Sequence, residues 1–392
     1  MSRINDLINE LCPNGVTYQT IGSVCDFQNG YAFKSNLFKD DGDILLRITN
    51  IDGKQIDLSD VKYIDTSDYN TDLSSFKVYN DDIVIAMSGA TTGKIGINHT
   101  NKILYLNQRV GKLTPKDVSL NNHFLYHYLL SKVNYFYQLA GGGAQPNLSS
   151  DAIKNTSIPI PPIEVQEEIV RILDKFGELE AELEAELEAR RSQYEFWRGK
   201  LLGNKGTVKI KDYFTRVKGT PITAGKMKEI SVEGGEVRVF AGGQTKVDTT
   251  RDNIPQKDII ETPCVVVQSR GLIDFIYYDK PFTFKNEMWA YTCVNQITVK
   301  YLYYYLKNNV DYFRTIGTQM GSMPQISLPV TEKFEIYLPS LEEQQRIVNI
   351  LDKFDKLVND ISEGLPAEIE ARRKQYEYYR NKLLSFEEVY CE

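Results

Sequence analysis

The sequence lacks the features that mark membrane and secreted proteins. No hydrophobic run reaches the roughly 18 residues of a membrane span, and the first residues lack the apolar core of a secretory signal. The cysteines never form a CxxC pair. They are odd in number and scattered along the sequence, which is typical of reduced thiols. We therefore expect a cytoplasmic protein with free thiols at Cys12, Cys25, Cys264, Cys293 and Cys391.

Sequence signatures of catalysis are also missing. Residues 89–94 resemble a phosphate loop, but only three residues separate the glycines, and Ile95 stands where Ser or Thr would hold magnesium. His123 and His127 have the i, i+4 spacing of a helical metal site without an HExxH glutamate or a third ligand. There is no GxGxxG fingerprint. We predict a binding protein with no catalytic residue, no metal site and no cofactor of its own.

Basic and acidic residues are unevenly distributed along the chain. The net charge is −7, yet residues 204–336 are net basic, with 18 basic and 14 acidic side chains. A protein that grips DNA alone is usually basic overall, because neutralising phosphates dominates the affinity. If this chain binds DNA, partners should supply part of the positive charge.

Two stretches of the chain repeat each other about 180 residues apart. Residues 161–176 match residues 339–354 at 10 of 16 positions, and residues 189–202 match residues 371–384 at 10 of 14. The segments between these copies barely match. The pattern indicates a symmetric helical frame that presents two different recognition surfaces.

The repeats have apolar residues in steps of three and four, which is typical of a coiled-coil seam. A helix through residues 164–202 would be roughly 60 Å long, so we expect the two copies to pack on each other, antiparallel. The second copy has four extra residues around Gly364, where the helix should kink or unwind. The predicted seam comprises Ile169, Leu173, Phe176, Leu183, Leu187, Tyr194, Trp197, Ile347, Leu351, Phe354, Val358, Ile361, Tyr376, Tyr379 and Leu383.

The other segments predict an α+β (mixed α/β) fold. Short apolar runs such as Ile83-Val84-Ile85 indicate buried strands, and tyrosine-rich runs indicate short helices. We predict two similar α/β domains, residues 1–158 and 204–336, each followed by a conserved helix, residues 159–203 and 337–392. The two halves should be related by a pseudo-twofold axis.

Several motifs resemble those of the specificity (S) subunits of type I restriction–modification systems. The resemblance rests on residues 12–16 (CPNGV), 46–51 (LRITNI), 82–89 (DIVIAMSG), 106–108 (LNQ) and 158–162 (IPIPP). It covers essentially the full length, including the order domain, helix, domain, helix. The second half departs from it, since Ser269-Arg270-Gly271 stands where a Ser-Gly-Ala-Thr-Thr-Gly-Lys loop is expected.

This resemblance implies a non-catalytic subunit that reads a bipartite, asymmetric site on double-stranded DNA. Each α/β unit would be a target recognition domain for one half-site, and the paired helices would fix the gap. The subunit would scaffold two adenine methyltransferase (M) subunits that use S-adenosylmethionine. Restriction (R) subunits, which use ATP and Mg, would join them. No membrane partner is implied.

Loop side chains that can donate to or accept from base edges are the candidate DNA contacts. For each of them, a solvated loop residue or turn-former is an equally good interpretation. In the first unit they are Arg47, Asn50, Ser88, Thr91, Thr92, Lys94, Asn107, Gln108, Arg109, Gln145 and Asn147, and in the second Gln244, Lys246, Arg270, Lys285, Gln319 and Gln325.

Three alternatives stay open at this point. The chain could be the specificity subunit of a fused restriction–methylation enzyme, with one kind of partner instead of two. It could be a coiled-coil scaffold that joins proteins without reading DNA, although divergent domains and a basic second unit argue against this. An enzyme with its own active site is disfavoured by the missing motifs.

Overall fold

The computed structural model describes residues 2–142, 146–243, 245–318 and 323–389. The chain divides into two units, of which unit 1 comprises Met1–Glu182 with Ile369–Glu392, and unit 2 comprises Leu183–Glu368. Both boundaries lie inside helices, so each unit holds parts of both repeated helical segments.

In its described residues, unit 1 begins with fifteen α-helices and β-strands. They are α1 (Ser2–Leu11), β1 (Tyr18–Thr20), α2 (Ile21–Val24), β2 (Cys25–Asn29), β3 (Asp43–Leu46), β4 (Lys62–Ile64), β5 (Lys77–Val78), β6 (Ile83–Ala86), β7 (Ile95–Ile97), β8 (Leu104–Leu106), β9 (Val110–Pro115), α3 (Asn122–Ser131), α4 (Val133–Leu139), α5 (Ser150–Lys154) and β10 (Ser157–Pro159). The long helix α6 (Ile163–Leu202) follows and passes into unit 2.

Unit 2 then repeats the same kinds of element. They are β11 (Val208–Lys209), α7 (Ile210–Tyr213), β12 (Thr215–Lys218), α8 (Ala224–Glu229), β13 (Val237–Phe240), β14 (Lys246–Thr249), β15 (Cys264–Gln268), β16 (Asp274–Tyr278), β17 (Phe282–Phe284), β18 (Trp289–Thr292), α9 (Gln296–Asn308), α10 (Val310–Thr318), α11 (Leu328–Glu332), β19 (Glu335–Ile336), α12 (Leu341–Asn359) and α13 (Leu365–Leu383). Helix α13 returns the chain to unit 1.

The sheets of the two units have matching topologies. In unit 1 the antiparallel sheet has the order β2-β9-β6-β7, and a second sheet, β4-β3-β8-β5, contains the parallel pair β3–β8. In unit 2 the corresponding sheets are β12-β18-β15-β16 and β14-β13-β17, with β13 parallel to β17. The prediction of two similar α/β domains is therefore confirmed.

Strand β6 shows how the unit 1 core is divided. All four of its residues are buried, and successive side chains of a strand point to opposite faces. Ile83 and Ile85 join the cluster that includes α3 and α6, whereas Val84 and Ala86 join the cluster of the second sheet. A continuous apolar run is thus buried on both faces.

Helices α6 and α13 pack antiparallel within unit 1. Arg373 on α13 contacts Glu180 on α6 at 2.6 Å, and the rings of Phe176 and Tyr379 stack with centroids 5.5 Å apart. Leu383 joins the same buried cluster as Ile169, near the start of α6. Residue numbers fall along one helix as they rise along the other, which confirms the antiparallel packing.

The predicted seam is buried at nearly every position. Apart from Ile361, its members are buried or half-buried, and in unit 2 the rings of Tyr194 and Phe354 stack with centroids 6.0 Å apart. Ile361 is a correction, because its side chain is 85% exposed. It lies in the break between α12 and α13, where the chain leaves the helical conformation over residues 360–364. The prediction that the helix unwinds around Gly364 is confirmed.

The described cysteines are free, as expected. Cys12, Cys25 and Cys264 are buried, and Cys293 is half-buried. Burial raises the pKa of Cys25 to about 12, which keeps this thiol protonated and unreactive near neutral pH. Cys391 lies outside the described residues.

Candidate nucleic-acid interface

The loops of unit 1 converge where the parallel strands β3 and β8 end. The backbone N–H of Asn107 donates to the carbonyl of Leu46 at 3.1 Å, which places Asn107 beside Arg47. The N–H of Met87 donates to the carbonyl of Arg109 at 2.9 Å, so the loop after β6 lies next to the turn before β9. Segments distant in sequence therefore meet at one end of the two sheets.

Asn147, in the segment that precedes α5, also lies at this end of the sheets. It forms an isolated backbone bridge with Ser88, and its Oδ1 accepts a hydrogen bond from Nη1 of Arg109 at 3.3 Å. Arg109, Gln108 and Asn147 are exposed, whereas Asn107 and Ser88 are half-buried. We call this set the first loop edge, which consists of Arg47, Ser88, Asn107, Gln108, Arg109 and Asn147.

Two predicted contacts in unit 1 require correction. Asn50 is 2% exposed, and its amide Nδ2 donates to the carbonyls of Asp57 and Asp60 at 3.1 and 2.8 Å. Thr92 is 3% exposed, and its hydroxyl donates to the carbonyl of Gly89 at 2.7 Å. Both side chains are occupied in holding their own loops, so they do not present polar atoms on the surface.

The other predicted residues of unit 1 are less enclosed. Arg47 is half-buried, with Nη2 3.6 Å from Oδ2 of Asp60, so its guanidinium is partly neutralised. Thr91 and Lys94 are half-buried in the loop after Ser88. The hydroxyl of Thr91 is itself buried, so it too presents no polar atom on the surface. Gln145 lies outside the described residues.

Unit 2 reproduces the backbone contacts of the first loop edge. The N–H of Lys285 donates to the carbonyl of Phe240 at 3.0 Å, as Asn107 donates to Leu46 in unit 1. The N–H of Ile326 donates to the carbonyl of Ser269 at 2.9 Å, as Leu148 donates to Met87. These bonds set the correspondence between the units, pairing Asn107 with Lys285, Ser88 with Arg270, Arg109 with Glu287, and Asn147 with Gln325.

The side chains at these equivalent positions differ in charge. Exposed Arg270 replaces the hydroxyl of Ser88, and Glu287 replaces the cation of Arg109. The Nζ of Lys285 lies 2.9 Å from Oε1 of Glu287. Burial raises the pKa of Glu287, but hydrogen bonds from Lys285 and from its own backbone N–H, together with the positive charges of Lys285 and Arg270, hold the pKa below its usual value.

The second loop edge consists of Lys246, Arg270, Lys285, Asn286, Glu287 and Gln325. Lys246 is exposed and pairs with Phe240 at the end of β13, and Gln325 forms a backbone bridge with Arg270. Gln244 and Gln319 lie outside the described residues.

Sequence reasoning missed Asn286 and Glu287. Their turn is closed by the N–H of Met288 donating to the carbonyl of Lys285, as Val110 donates to Asn107 in unit 1. The sequence feature that could have indicated them is a polar three-residue turn after an apolar strand, which occurs in both halves at residues 107–109 and 285–287. The side chains share no resemblance that would have aligned them.

The comparisons with known proteins agree with this architecture. A family model described as the type I restriction modification DNA specificity domain matches residues 13–189 and again residues 203–371. The type I restriction enzyme EcoR124I/EcoR124II specificity subunit of Escherichia coli is 35% identical over 289 residues, which cover 67% of this chain and 70% of that protein.

Two solved structures share the fold over 95% of this chain. The S subunit of a type I restriction–modification system from M. genitalium aligns with a TM-score of 0.63 at 18% identity, over 97% of its own chain. A chain from a study of complex assembly and conformational transition of the type I R-M system aligns with a TM-score of 0.57 at 16% identity, over 98% of that chain. No helix in the described part of the chain combines the length and the hydrophobicity of a membrane-spanning segment.

Proposed function

This chain belongs to the family of type I restriction–modification DNA specificity subunits, and from this premise we propose that its two loop edges read the two halves of a bipartite DNA site. The main support is one observation. The two units repeat the same backbone contacts at their loop edges while the side chains there differ in charge and hydrogen-bonding capacity. Such a design suits the reading of two different half-sites, hence an asymmetric site.

The chemistry of each edge favours different bases. Arginine forms bidentate bonds with guanine in the major groove, and Asn or Gln does so with adenine. Arg109, Gln108 and Asn147 offer these groups on the first loop edge. The second loop edge adds a carboxylate, Glu287, which can accept from the N4 amino group of cytosine.

The negative net charge of the chain favours partner subunits that contact the same DNA. With a net charge of −7, the chain neutralises few phosphates by itself. We propose that two adenine methyltransferase subunits, which use S-adenosylmethionine, supply the remaining contacts and the chemistry. Restriction subunits with ATP and Mg would act on the same complex. In this assignment the chain has no catalytic role and no cofactor, and it works in the cytoplasm.

The repeated helices are the proposed docking frame for the methyltransferase subunits. Residues 161–176 and 339–354 are largely identical, as are residues 189–202 and 371–384, so they offer two copies of one surface. Two identical partners can bind two such copies with the same contacts. The divergent loop edges, in contrast, cannot serve identical partners.

A gel-shift experiment tests this assignment. The full chain, alone and with its methyltransferase subunits, is titrated against genomic fragments at several salt concentrations. We expect weak, salt-sensitive binding by the chain alone and tight, site-specific binding by the complex. Tight, site-specific binding by the chain alone would contradict the partner requirement. A stable complex without sequence preference would show a scaffold that does not read DNA, and assembly with a single fused partner would replace the two-partner arrangement.

A further inference from the structure

Three polar side chains from distant segments of unit 1 meet outside the loop edges. Asp81 lies between β5 and β6, His99 follows β7, and His123 lies in the first turn of α3. Each offers one ligand atom, and these atoms all lie within 4.8 Å of one another. The Nε2 of His99 is 3.3 Å from Oδ1 of Asp81, and the rings of His99 and His123 are nearly parallel, with an interplanar angle of 23°.

The backbone around this cluster is held in place by Asn98 and Asn122. Asn98 is fully buried, and its amide donates to the carbonyls of Tyr79 and Lys102 at 2.9 and 3.0 Å. The backbone carbonyl of Asn98 accepts from the N–H of Asp81 at 2.8 Å, and Nδ2 of Asn122 donates to the backbone carbonyl of Asp81 at 2.8 Å. The three ligand-bearing segments are therefore fixed to one another before any ion binds.

Asp81 has a backbone conformation that matches this role. Its φ is +67°, in the left-handed region that non-glycine residues rarely adopt. Strain of this kind persists where the surrounding bonds hold it, and it is common at ligand sites. Here the bonds from Asn98 and Asn122 hold the carboxylate beside the imidazoles.

The ligand chemistry selects the class of ion. Two imidazole nitrogens and one carboxylate suit Zn²⁺ and similar transition metals, whereas Mg²⁺ and Ca²⁺ prefer oxygen ligands alone. A tetrahedral site with bonds of roughly 2.0–2.1 Å has ligand atoms about 3.3 Å apart. The His99–Asp81 distance already has this value, and the ligand atom of His123 lies within 4.8 Å of the other two, so it must approach by at most about 1.5 Å to complete the geometry.

His123 also has the outer partner that metal-binding histidines usually have. Its Nδ1 lies 3.5 Å from Oδ2 of Asp174 on α6, which leaves Nε2 for an ion. Asp174 in turn contacts the buried His127 at 2.8 Å. The carboxylate thus orients the ligand and connects it to the long helix.

We propose that Asp81, His99 and His123 form a binding site for Zn²⁺, with water as the remaining ligand. The site lies where β6 begins and β7 ends, and so at the opposite end of the sheet from the first loop edge. It is separate from the residues proposed to read DNA, and a bound ion would add to the bonds that already hold α3 to the turns of the β-sheet. The sequence offered only the pair His123 and His127, and folding instead unites His123 with residues 24 and 42 positions earlier.

The test uses the full chain without a histidine tag. After treatment with EDTA and dialysis, Zn²⁺ is titrated by calorimetry, and Co²⁺ binding is followed by its visible spectrum. We expect one ion per chain and a Co²⁺ spectrum of nitrogen and oxygen ligands. The absence of binding, or a thiolate charge-transfer band that assigns the ion to cysteines, would overturn the proposal.

Variants locate the site. His99→Gln with His123→Gln should abolish binding, and Asp174→Asn should weaken it about tenfold, the lower end of outer-partner effects. Asp151→Asn, an exposed carboxylate of α5, is the control and should bind like the parent chain. Circular dichroism of each metal-free variant verifies the fold. A folded double variant that retains the affinity of the parent chain would disprove the assignment.

Discussion

Nη1 of Arg109 and Oδ1 of Asn147 lie 3.3 Å apart, and this hydrogen bond connects the turn before β9 to a loop nearly 40 residues later. Both side chains are exposed, so each keeps polar atoms free for a base or a phosphate. At the equivalent positions of unit 2 the pair is Glu287 and Gln325. The two loop edges therefore have one backbone arrangement and different recognition chemistry.

Replacing Arg109 should weaken recognition of one half-site. Arg109→Gln removes a cation and a bidentate donor, so we expect the methyltransferase complex to lose about 5- to 150-fold in affinity for its site, the equivalent of about 1–3 kcal/mol. Fluorescence anisotropy with a duplex that carries the site measures this loss. Lys102→Gln is the matched control, because Lys102 precedes β8 at the opposite end of the sheet. An equal loss in both variants would mean a general charge effect.

Gln166 and Gln344 should be essential for stability in their own units. Gln166 is fully buried, its Nε2 donates to the carbonyls of Ser119 and Pro161 at 2.8 Å, and its Oε1 accepts from Asn121. Gln344 likewise donates to the carbonyl of Pro339. Either Gln→Ala change leaves buried groups unpaired and should lower the free energy of unfolding by about 2–3 kcal/mol.

Urea unfolding measures this effect, with Gln345→Ala as the control. Gln345 is half-buried on the same turn of α12, and its side chain donates to Oδ1 of Asn349 one turn later on the same helix. We expect its replacement to change the free energy of unfolding by less than about 0.5 kcal/mol. Similar losses at Gln344 and Gln345 would refute the anchoring role.

Glu180 should make the folding stability of unit 1 depend on pH. Burial raises the pKa of its carboxyl, but hydrogen bonds from Lys54 and Arg373 outweigh burial and hold the pKa below its usual value. A lowered pKa in the folded state stabilises the protein above the unfolded pKa of about 4.3. That contribution is lost as the pH falls from about 5 through the folded pKa.

Glu180→Gln should therefore destabilise the protein by about 1–3 kcal/mol at pH 7 and have a smaller effect at pH 4. Thermal unfolding between pH 4 and pH 7 measures both quantities. Glu178→Gln is the control, since Glu178 is exposed on the same helix and pairs only at the surface with Lys175. A penalty that is the same at both pH values would contradict the ionic role of Glu180.

Helix length should set the gap between the half-sites. Both unit boundaries fall within helices, after Glu182 in α6 and after Glu368 in α13. Four residues inserted at both boundaries lengthen each helix by about 6 Å and rotate it by only about 40°. We expect a functional variant that recognises the same half-sites with a longer gap.

A two-residue insertion at the same boundaries is the control for this prediction. It lengthens each helix by about 3 Å but rotates it by about 200°, which moves the apolar stripe away from its partner. We expect loss of methylation for this variant. An unchanged gap in the four-residue variant would show that the helices do not fix the spacing.

The sequence predicted the repeated elements well because their physical cause is local. Apolar residues at helical spacing, prolines before Ile163 and the extra residues around Gly364 act within a few turns of the chain. The loop positions of Arg109, just before β9, and Arg270, two residues after β15, follow in the same way from the buried strands beside them. These positions can be inferred without knowing which segments meet.

What the sequence did not predict depends on distant contacts. Asn50 and Thr92 are polar, as surface residues are. Only the folded loops show that their side-chain donors are already hydrogen-bonded to backbone carbonyls. Ile361 fits the apolar period, but the break before α13 exposes it. The cluster of Asp81, His99 and His123 exists only because three segments fold together, and Glu287 has no counterpart of like charge in the first half.

Methylome sequencing shows whether each loop edge reads one half of a bipartite site. A host expressing the chain with its methyltransferase subunits is compared with hosts expressing Arg109→Gln, Arg270→Gln and the opposite-end controls Lys102→Gln and Lys280→Gln. We expect a two-part methylated motif in which Arg109→Gln relaxes or changes one half only and Arg270→Gln the other half only, while the controls leave the motif unchanged. A continuous motif, or a single substitution that alters both halves, would contradict it.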